Sequence, residues 1–549
     1  MLHYLRFSIS AVILVVTAVA VAGFVSSSDK YFYIKKNFTI FSEVYEEVTD
    51  SYVDEVDPQE LMRNGINAML ETLDPYTVLV DEAESEQMDV MTTGQYAGVG
   101  LEVGARDGRL VVIAPIEGYS ADRKGIQAGD IILEVDGVST EGMNSDDLQS
   151  LLRGDADTTV DIVIERYGMD QELEFELTRE TIEVTNVTYS DILDHDGDER
   201  IGYIVLNRFA QNAAEEVRET IMEFKDDGEL DGLVLDLRNN PGGLLDESVK
   251  LVDLFVESGI EIVSTSGRGD DNESFESSQP PVYEDKPVAV LQNSGSASAS
   301  EIVAGAIQDL DRGIVVGERS FGKGLVQVIR PLSYNMALKI TTSKYHIPSG
   351  RSIQAMEFVA EEDSRDADIS EDQREPFETR DGRTVYESIG IEPDVEVEKS
   401  DQSMVELSLL QESHYFFFAN QFASEYDEYS EMTDETFEAF KEYLEEEDFS
   451  FRTRSQQQYD QFVEALEDDL KDNATEELAA LEKAIAEEQE MQFDRYESDI
   501  RNELHEELLS RFDGESGRMR ASIKSDEVIH EAARHFTDID LYNQLLEVE

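Results

Sequence analysis

A serine-rich turn carries the residue types that best fit nucleophilic catalysis. Residues 293–301 read Asn-Ser-Gly-Ser-Ala-Ser-Ala-Ser-Glu and stand between the apolar run Val288–Leu291 and a helical pattern that continues through Ile302. Small side chains on a strand-to-helix turn let a hydroxyl project at the helix N-terminus, where free backbone N–H groups and the helix dipole favour a developing oxyanion. Serines at such a place also serve as ordinary helix caps. The segment alone leaves both interpretations open.

A serine nucleophile needs a base, and the sequence supplies few histidines. Only His195 and His346 fall between residues 94 and 400, and His195 lies in a polar run that is typical of a surface turn. Lysine is the other base known to serve a catalytic serine. Lys323 stands between two glycines just before the predicted strand Leu325–Ile329. Its flanking glycines allow the backbone to approach another segment closely.

Two further features bear on Lys323. A catalytic amine must be uncharged near neutral pH, which requires burial. With the two-residue period of a strand, Lys323, Leu325 and Gln327 face one way, and Gln327 can then hold the amine by a hydrogen bond. Residues 317–323 also match the start of a phosphate-binding loop, but Gly324 replaces the required Ser or Thr and a strand follows instead of a helix, which argues against nucleotide binding. A lysine between glycines is otherwise common in surface turns.

A third segment, residues 236–243, ends a predicted strand with Pro241-Gly242-Gly243. This is ordinary turn chemistry. The same turn also presents bare backbone N–H groups to an anion, so the segment alone does not distinguish the two roles.

Taken together, these segments resemble the carboxyl-terminal processing proteases, also called tail-specific proteases. The matching segments, in chain order, are residues 236–243, 295–302, 321–324, 345–354 and 390–394. The resemblance implies that Ser298 is the nucleophile and that Lys323, 25 residues further on, is the general base, with Gln327 beside it. It implies no metal ion and no cofactor.

The resemblance also assigns an oxyanion site. The N–H of Ala299 and an N–H of Gly242 or Gly243 would hold the negative oxygen of the tetrahedral intermediate. The competing interpretation is a binding module, in which a PDZ scaffold is joined to an inactive protease core. The presence of Ser298 and Lys323 together argues against that alternative.

The region from Tyr96 to Met143 resembles a PDZ domain. Its segment Gly98-Val99-Gly100-Leu101 corresponds to the loop that receives the terminal carboxylate of a peptide on backbone N–H groups, and residues 128–137 are also typical of PDZ domains. The resemblance implies that protein substrates with free C-termini bind by strand addition.

The helices and strands that must position these residues are themselves predicted from the sequence, and their pattern indicates an α/β multidomain protein. The predicted order is an N-terminal membrane anchor (1–28), a helical region (29–93), a PDZ-like β-rich domain (94–181), an α/β protease core (182–400) with a mobile acidic insert (359–383), and an acidic helical extension (401–549). In the extension, Tyr459, Phe462, Leu466 and Leu470 form an apolar stripe that we expect to pack on another part of the chain.

The charge of the chain limits its partners. A formal net charge of −79, from 123 acidic and 44 basic residues, excludes binding to nucleic acid through a general electrostatic field. The acidic excess is spread along the chain and arginine outnumbers lysine, as expected for a protein that works in high salt, where repulsion is screened over ~3 Å at 1 M. A very acidic protein from an ordinary environment is the alternative. The chain has no cysteine, which excludes disulfides and Cys-ligated zinc.

The N-terminus predicts export. Residues 7–25 form an uncharged stretch that is long enough to span a bilayer and longer than the apolar part of most signal peptides. Residues 18–22 offer sites for cleavage, so a cleaved signal is the alternative. We expect a single-pass inner-membrane anchor, with the catalytic part in the periplasm or outside the cell. A homo-oligomer is compatible with this arrangement.

Overall fold

The computed structural model describes most of the chain as two compact units. The described residues are 31–81, 90, 92–106, 108–169, 171–193, 199–268, 272–284, 286–354, 374–387, 389–397, 403–466 and 474–546. Of these, the first unit holds 31–81 and 327–341, and the second unit holds the others. No helix among the described residues is long and apolar enough to cross a membrane. The predicted anchor, residues 1–28, lies outside them.

The first unit begins with two helices and a short strand. Helical residues 31–51 (α1) precede α2 (Pro58–Leu70) and β1 (Val78–Val80), which pairs antiparallel with residues 337–339. The Asp74 carboxylate accepts hydrogen bonds from the N–H groups of Tyr76 and Thr77 and fixes the turn that leads into β1. The sequence predicted a helical region over 29–93 that is broken by a turn at residues 73–76, and the structure has this turn. After this turn, residues 78–80 form a strand and not a helix.

A small β-rich domain opens the second unit. Its main sheet has the order β3 (Leu101–Arg106), β4 (Arg109–Pro115), β5 (Ile131–Val135), β7 (Thr159–Glu165), β8 (Leu173–Thr178), with β6 (Val138–Ser139) beside β5. Separately, β2 (Gln95–Gly98) pairs with β9 (Glu180–Glu183). Helices α3 (Ser120–Lys124) and α4 (Ser145–Leu152) pack on one face of the main sheet, where Val103, Val112 and Leu148 form part of a buried core. Strand β3 lies at the edge of this sheet.

The α/β core is a mainly parallel sheet with helices on both faces. Its strands, in spatial order, are β10 (Val187–Ile192), β11 (Ile201–Leu206), β12 (Gly232–Asp236), β15 (Val288–Gln292), β16 (Ile314–Gly317) and β21 (Val395–Glu396), of which β10 is antiparallel. Helices α5 (Ala213–Asp227), α6 (Leu245–Asp253) and α7 (Ala299–Asp309) cover one face. Because side chains alternate along a strand, Leu233 and Leu235 meet these helices while Val234 faces the opposite layer.

Short antiparallel elements surround the core. Strands β13 (Glu261–Gly267) and β14 (Asn272–Glu276) pair with each other, and β13 also pairs with residues 343–346 of β18 (Ala337–His346). Along the chain, β17 (Leu325–Pro331) and β18 pass between the two units. Strands β19 (Pro376–Glu378) and β20 (Thr384–Tyr386) form a hairpin.

This hairpin corrects part of the predicted mobile insert. Arg383, buried at its base, makes ion pairs with Asp311 at 2.6 Å and with Asp394 at 2.7 Å. Residues 376–383 are therefore anchored to the core by charge-assisted contacts, although their composition is polar. Residues 355–373 lie outside the described part of the chain.

The C-terminal extension is helical, as predicted. Its helices are α8 (Met404–Gln411), α9 (His414–Glu425), α10 (Asp434–Glu446), α11 (Arg454–Ala465), α12 (Thr475–Arg495), α13 (Glu497–Phe512), α14 (Gly514–Ser525), α15 (Glu527–Thr537) and α16 (Ile539–Leu545). Helices α8, α9, α10, α12 and α13 pack around an aromatic core that includes Phe437 and Phe440. Of the predicted stripe, Phe462 is exposed, whereas Tyr459 and Leu466 are partly buried and the Tyr459 hydroxyl donates to the Leu478 carbonyl of α12. Leu470 lies outside the described residues, and α11 fully buries no residue.

The last helices complete the α/β core. Phe536 of α15 and Tyr542 of α16 are buried against Val234 and its neighbours on the second face of the parallel sheet. A Cβ atom on Gly232 would stand 2.4 Å from the Phe536 ring, so the glycine leaves the space that this ring fills. The Tyr542 hydroxyl lies 3.1 Å from the Val288 carbonyl oxygen, to which it donates a hydrogen bond. The core therefore depends on residues that follow it by more than a hundred positions.

Candidate active site

Ser298 lies at the strand-to-helix turn between β15 and α7 in an unusual backbone conformation. Its φ is 57° and its ψ is −111°, outside the regions that a residue with a side chain normally occupies. Such conformations cost ~1–3 kcal/mol and occur where the surrounding structure enforces them, often at functional sites. Ser298 is partly exposed, whereas Ala297, Ala299 and Ser300 beside it are buried. Among the other serines of the run, Ser296 and Ser300 are buried and Ser294 is exposed, so Ser298 is the serine at the start of α7 that remains accessible.

The buried carboxylate of Glu301 joins this turn to the loop that carries Lys323. Its side chain is 0% exposed. One oxygen accepts hydrogen bonds from the N–H groups of Ser298 at 2.7 Å and Lys323 at 2.9 Å. The other accepts from the Gly322 N–H at 2.7 Å and the Ser320 hydroxyl at 2.6 Å. Burial raises the pKa of Glu301, and these four hydrogen bonds oppose that shift.

Two further contacts fix the same pair of segments. The Tyr345 hydroxyl, on the buried side chain of a β18 residue, donates to the carbonyl oxygens of Ser298 (3.2 Å) and Lys323. The Phe321 N–H donates to the Ser296 carbonyl at 3.0 Å. The structure therefore brings together the backbones of Ser298 and Lys323, two of the residues predicted to carry the chemistry.

Lys323 itself lies in a loop and is half-buried. Strand β17 begins at Leu325, so Lys323 precedes the strand whose two-residue period was used to predict that Lys323 and Gln327 face one way. Gln327 belongs to the first unit, where its amide donates to the Thr341 hydroxyl at 3.4 Å. His346 has its Nε2 atom 3.1 Å from the Ser266 hydroxyl, and His195 lies outside the described residues.

The Asp236–Gly243 loop packs against the Ser298 turn. The Asn240 carbonyl accepts hydrogen bonds from the Ala297 N–H at 3.0 Å and the Ser300 hydroxyl at 2.9 Å. A Cβ atom on Gly242 would lie 2.8 Å from the Ala299 nitrogen and 2.9 Å from the Ser298 Cβ, and its φ of +95° also favours glycine. Only glycine permits this close approach.

The N–H groups of this loop differ in availability. Gly242 donates its N–H to the Asn240 side chain at 2.9 Å. Within the described part of the chain, nothing accepts a hydrogen bond from the N–H of Gly243 or Ala299. Of the three predicted oxyanion donors, Ala299 and Gly243 therefore have N–H groups without an acceptor among the described residues.

A charged network anchors the start of this loop. Arg238 contacts the Asp236 carboxylate through Nε at 3.0 Å and Nη2 at 2.6 Å, and it reaches Asp526 through Nη1 at 2.7 Å. The Tyr203 hydroxyl donates to Asp236 at 2.7 Å. Burial lowers the pKa of Arg238, but the two carboxylates more than offset this and raise it. Asp526 also caps α15, so the C-terminal helices hold the loop that borders the site.

The predicted carboxylate loop lies before the edge strand β3. Val99 and Leu101 bury their side chains in the domain core. Gly100 has φ = +77°, and a Cβ there would lie 2.5 Å from the Tyr119 Cβ. Among the described residues, no acceptor takes a hydrogen bond from the N–H of Val99 or Gly100. The loop begins at Gly98 and thus offers backbone N–H donors beside β3, whose outer edge pairs with no other strand among the described residues.

Comparison with known proteins identifies the family. The model "Peptidase family S41" matches residues 200–361, and "PDZ domain" matches 111–166. "Probable PDZ-protease, C-terminal helical domain" matches 405–536, and "Activating protease CtpB N-terminal domain" matches 16–84. A "Carboxy-terminal-processing protease" of Bartonella bacilliformis is 39% identical over 58% of this chain and 73% of its own length. The chain belongs to peptidase family S41.

Other members of the family are also similar to this S41 peptidase. A "Carboxyl-terminal-processing protease" of Synechocystis is 37% identical over 54% of this chain and 70% of its own. The solved "photosystem II D1 C-terminal processing protease" is 27% identical, with a TM-score of 0.35, over 66% of this chain and 92% of that one. The protein is thus a serine peptidase with a PDZ domain, an S41 core and a C-terminal helical domain.

Sequence reasoning missed two residues that hold this peptidase's site together. Glu301 was noticed only as part of the serine-rich segment, although an acidic residue three positions after a helix-capping serine is itself a signal of a reciprocal cap. Tyr345 was noticed only within a family motif. Its two hydrogen bonds join segments that are distant in sequence, and no local pattern predicts them.

Proposed function

We propose that this S41 peptidase cleaves peptide bonds with Ser298 as nucleophile and Lys323 as general base. The observation that carries the proposal is the Glu301 carboxylate, which holds the N–H groups of both residues through one oxygen. The Ser298 hydroxyl attacks the peptide carbonyl while the neutral Lys323 amine takes its proton. The amine then returns the proton to the leaving nitrogen, and water hydrolyses the acyl-enzyme by the same route.

The negative oxygen of the tetrahedral intermediate is held by the N–H groups of Ala299 and Gly243. Both are backbone donors at or beside the N-terminus of α7, where the helix dipole adds to the attraction. Gly242 contributes by its lack of a side chain, which lets the loop approach Ser298. Gln327 is proposed, from the resemblance alone, to position the Lys323 amine.

Substrates are captured by their C-termini. Strand β3 is a sheet edge, and the loop Gly98–Leu101 before it carries backbone N–H groups without acceptors in the described structure. These features support a scheme in which a terminal carboxylate binds the loop and the preceding residues pair with β3. Export, a single-pass anchor in residues 1–28 and work in high salt are proposed on the sequence alone.

Two peptides that differ only in a free or amidated C-terminus test this function. A carboxylate held by charge-assisted hydrogen bonds gains ~1.5–3 kcal/mol per bond, so amidation should lower kcat/KM at least about tenfold. Ser298→Ala serves as the blank that assigns cleavage to this chain. Equal rates for the two peptides at subsaturating concentration would refute tail recognition and leave a general endopeptidase, whereas cleavage by folded Ser298→Ala would refute the nucleophile.

A further inference from the structure

Arg208 lies on a segment of the S41 core that contacts both the active-site loop and the PDZ domain. It follows the C-terminal end of β11, and the turn of Ser298 follows the same end of the parallel strand β15. The next residue, Phe209, donates its N–H to the Gly242 carbonyl at 3.1 Å, and its carbonyl accepts from the Leu244 N–H at 2.7 Å. The backbone beside Arg208 is therefore fixed to the loop that supplies a proposed oxyanion donor.

The same segment also contacts the start of the PDZ domain. A Cβ atom on Gly94 would lie 3.8 Å from the Cβ of Ala210, two residues after Arg208. Two residues after Gly94, Tyr96 lies close enough to Arg208 for each side chain to shift the pKa of the other. The guanidinium of a core residue therefore lies beside a tyrosine of the PDZ domain.

Tyr96 packs on the loop that is proposed to receive the substrate tail. A Cβ atom on Gly98 would lie 2.7 Å from the Tyr96 ring, so the ring covers the first residue of this loop. The guanidinium of Arg153, which ends α4, lies over the same ring at 5.1 Å from its centroid. A carboxylate bound at the loop would therefore lie beside Tyr96, and Arg208 borders this place from the side of the core.

The guanidinium of Arg208 forms no hydrogen bond and no ion pair with any described residue, although the side chain is half-buried and its Nε atom is fully buried. Burial lowers the pKa of Arg208, and the nearby Glu216 carboxylate opposes this shift. Both oxygens of Glu216 are already occupied by Asn186, through its N–H at 2.7 Å and its side-chain amide at 2.6 Å. Glu102 acts on Tyr96 but not on Arg208. In a chain with 123 acidic residues, a half-buried guanidinium without a carboxylate points to an anion that the chain itself does not supply.

We propose that Arg208 of the S41 core binds the terminal carboxylate of the substrate tail, together with the backbone N–H groups of the PDZ loop. The inference rests on the proposed tail capture and adds that the catalytic core itself recognises the free C-terminus. The terminal nitrogens of Arg208 donate charge-assisted hydrogen bonds to the carboxylate. Because Phe209 is hydrogen-bonded to Gly242, the segment that holds the tail also fixes the oxyanion loop. Recognition of the tail and alignment of the cleavage site are thus joined through one residue.

Cleavage of paired free-acid and amidated peptides by Arg208 variants of the full chain tests this assignment. The ratio of kcat/KM for the acid to kcat/KM for the amide measures how strongly the enzyme recognises the terminal charge. We expect Arg208→Gln to lower this ratio about tenfold through slower cleavage of the acid, because a charge-assisted hydrogen bond is lost, and to change cleavage of the amide far less. Arg208→Lys keeps the charge and should retain part of the preference.

Arg218→Gln is the matched control, because Arg218 lies on α5 of the same core, its side chain is 40% exposed, and it pairs with Glu215. Its ratio should equal that of the parent. An Arg208→Gln enzyme that keeps the parental ratio, or that loses activity equally toward both peptides, overturns the assignment of Arg208 and leaves tail capture by the PDZ loop in place. A parent enzyme that does not distinguish the acid from the amide refutes the tail capture on which the inference rests.

Discussion

Lys323 is proposed to act as a general base, a role that an arginine at the same position cannot fill. As the proposed base it must lose its proton, which a guanidinium does not do in proteins. We therefore expect Lys323→Ala and Lys323→Arg both to lower kcat by several orders of magnitude with the fold retained. Peptide cleavage and circular dichroism measure the two properties.

Lys344→Ala is the control for a general charge effect, because Lys344 is an exposed lysine on β18. It should cleave peptides at the parent rate. Activity in Lys323→Arg close to that of the parent would contradict the role of Lys323 as a base.

Glu301 positions the dyad through backbone groups and does not touch the substrate in this scheme. Its two oxygens accept four hydrogen bonds, whereas a glutamine offers one oxygen and turns an NH₂ group toward two of the donors. We expect Glu301→Gln to lower kcat about 10²-fold with a much smaller change in KM, and to lower the free energy of unfolding by ~1–3 kcal/mol. Glu318→Gln, a nearby partly exposed glutamate, is the control. A Glu301→Gln enzyme with normal kcat would show that the bridge is dispensable.

The residues that do chemistry were predictable from sequence because their local contexts are distinctive. Ser298 lies in a run of small residues before a helix, and Lys323 lies between two glycines. The strained backbone of Ser298 and the shared partner Glu301 were not predictable, since both result from the packing of one loop on another. The start of β17 two residues after Lys323 was not predictable either, because the sequence does not mark it.

At the scale of elements, the N-terminus of α15 is joined to the loop that borders the active site. Asp526 caps α15 and pairs with Arg238, which in turn fixes Asp236 at the start of the Gly242 loop. Asp526→Ala removes the cap and one of the two carboxylates of a mostly buried arginine. We expect it to lower the free energy of unfolding by ~1–3 kcal/mol and to reduce kcat as well. Denaturant unfolding and peptide cleavage measure the two effects.

Two further substitutions separate the effect of the helix cap from the effect of the ion pair with Arg238. Asp526→Asn keeps an acceptor for the cap and loses the ion pair, so it isolates the contact with Arg238. Glu527→Ala changes the next residue, which is exposed, and should alter neither property. An Asp526→Ala protein with parental stability and kcat would disprove the link between α15 and the active-site loop.

The type of most elements was predictable, but their partners were not. Apolar runs such as Gly232–Leu237 indicate buried strands, and the Gly- and Pro-poor extension indicates helices. An amphipathic pattern does not say which surface it covers. Phe462 belongs to a regular stripe and is exposed, whereas Phe536 fills the space left by Gly232, a contact between residues far apart in the chain.

At the scale of the whole molecule, the domains of this peptidase are joined by polar contacts as well as apolar ones. The helical domain reaches the PDZ domain around Arg106 and the S41 core through Asp526 and Phe536. It is therefore placed to influence both steps of the proposed mechanism, tail capture and cleavage. The negative net charge of the chain adds repulsion between carboxylates throughout the molecule, including at these contacts.

Salt should stabilise the whole protein. The net charge of −79 makes carboxylates repel one another in the compact state, and that repulsion is weaker in an expanded chain. The screening length falls from ~10 Å at 0.1 M to ~3 Å at 1 M salt, so most of the repulsion should disappear over this range. We expect the melting temperature to rise by at least ~5 °C between 0.1 M and 2 M KCl, since a few kcal/mol shift the melting temperature of a protein of this size by that much.

Potassium chloride is the appropriate salt for this test, because sulfate also stabilises proteins by exclusion from their surface. Sodium chloride at the same ionic strength is the control, and it should raise the melting temperature as KCl does if screening is the cause. A melting temperature that does not change with the concentration of either salt would show that repulsion between carboxylates does not limit the stability of this protein.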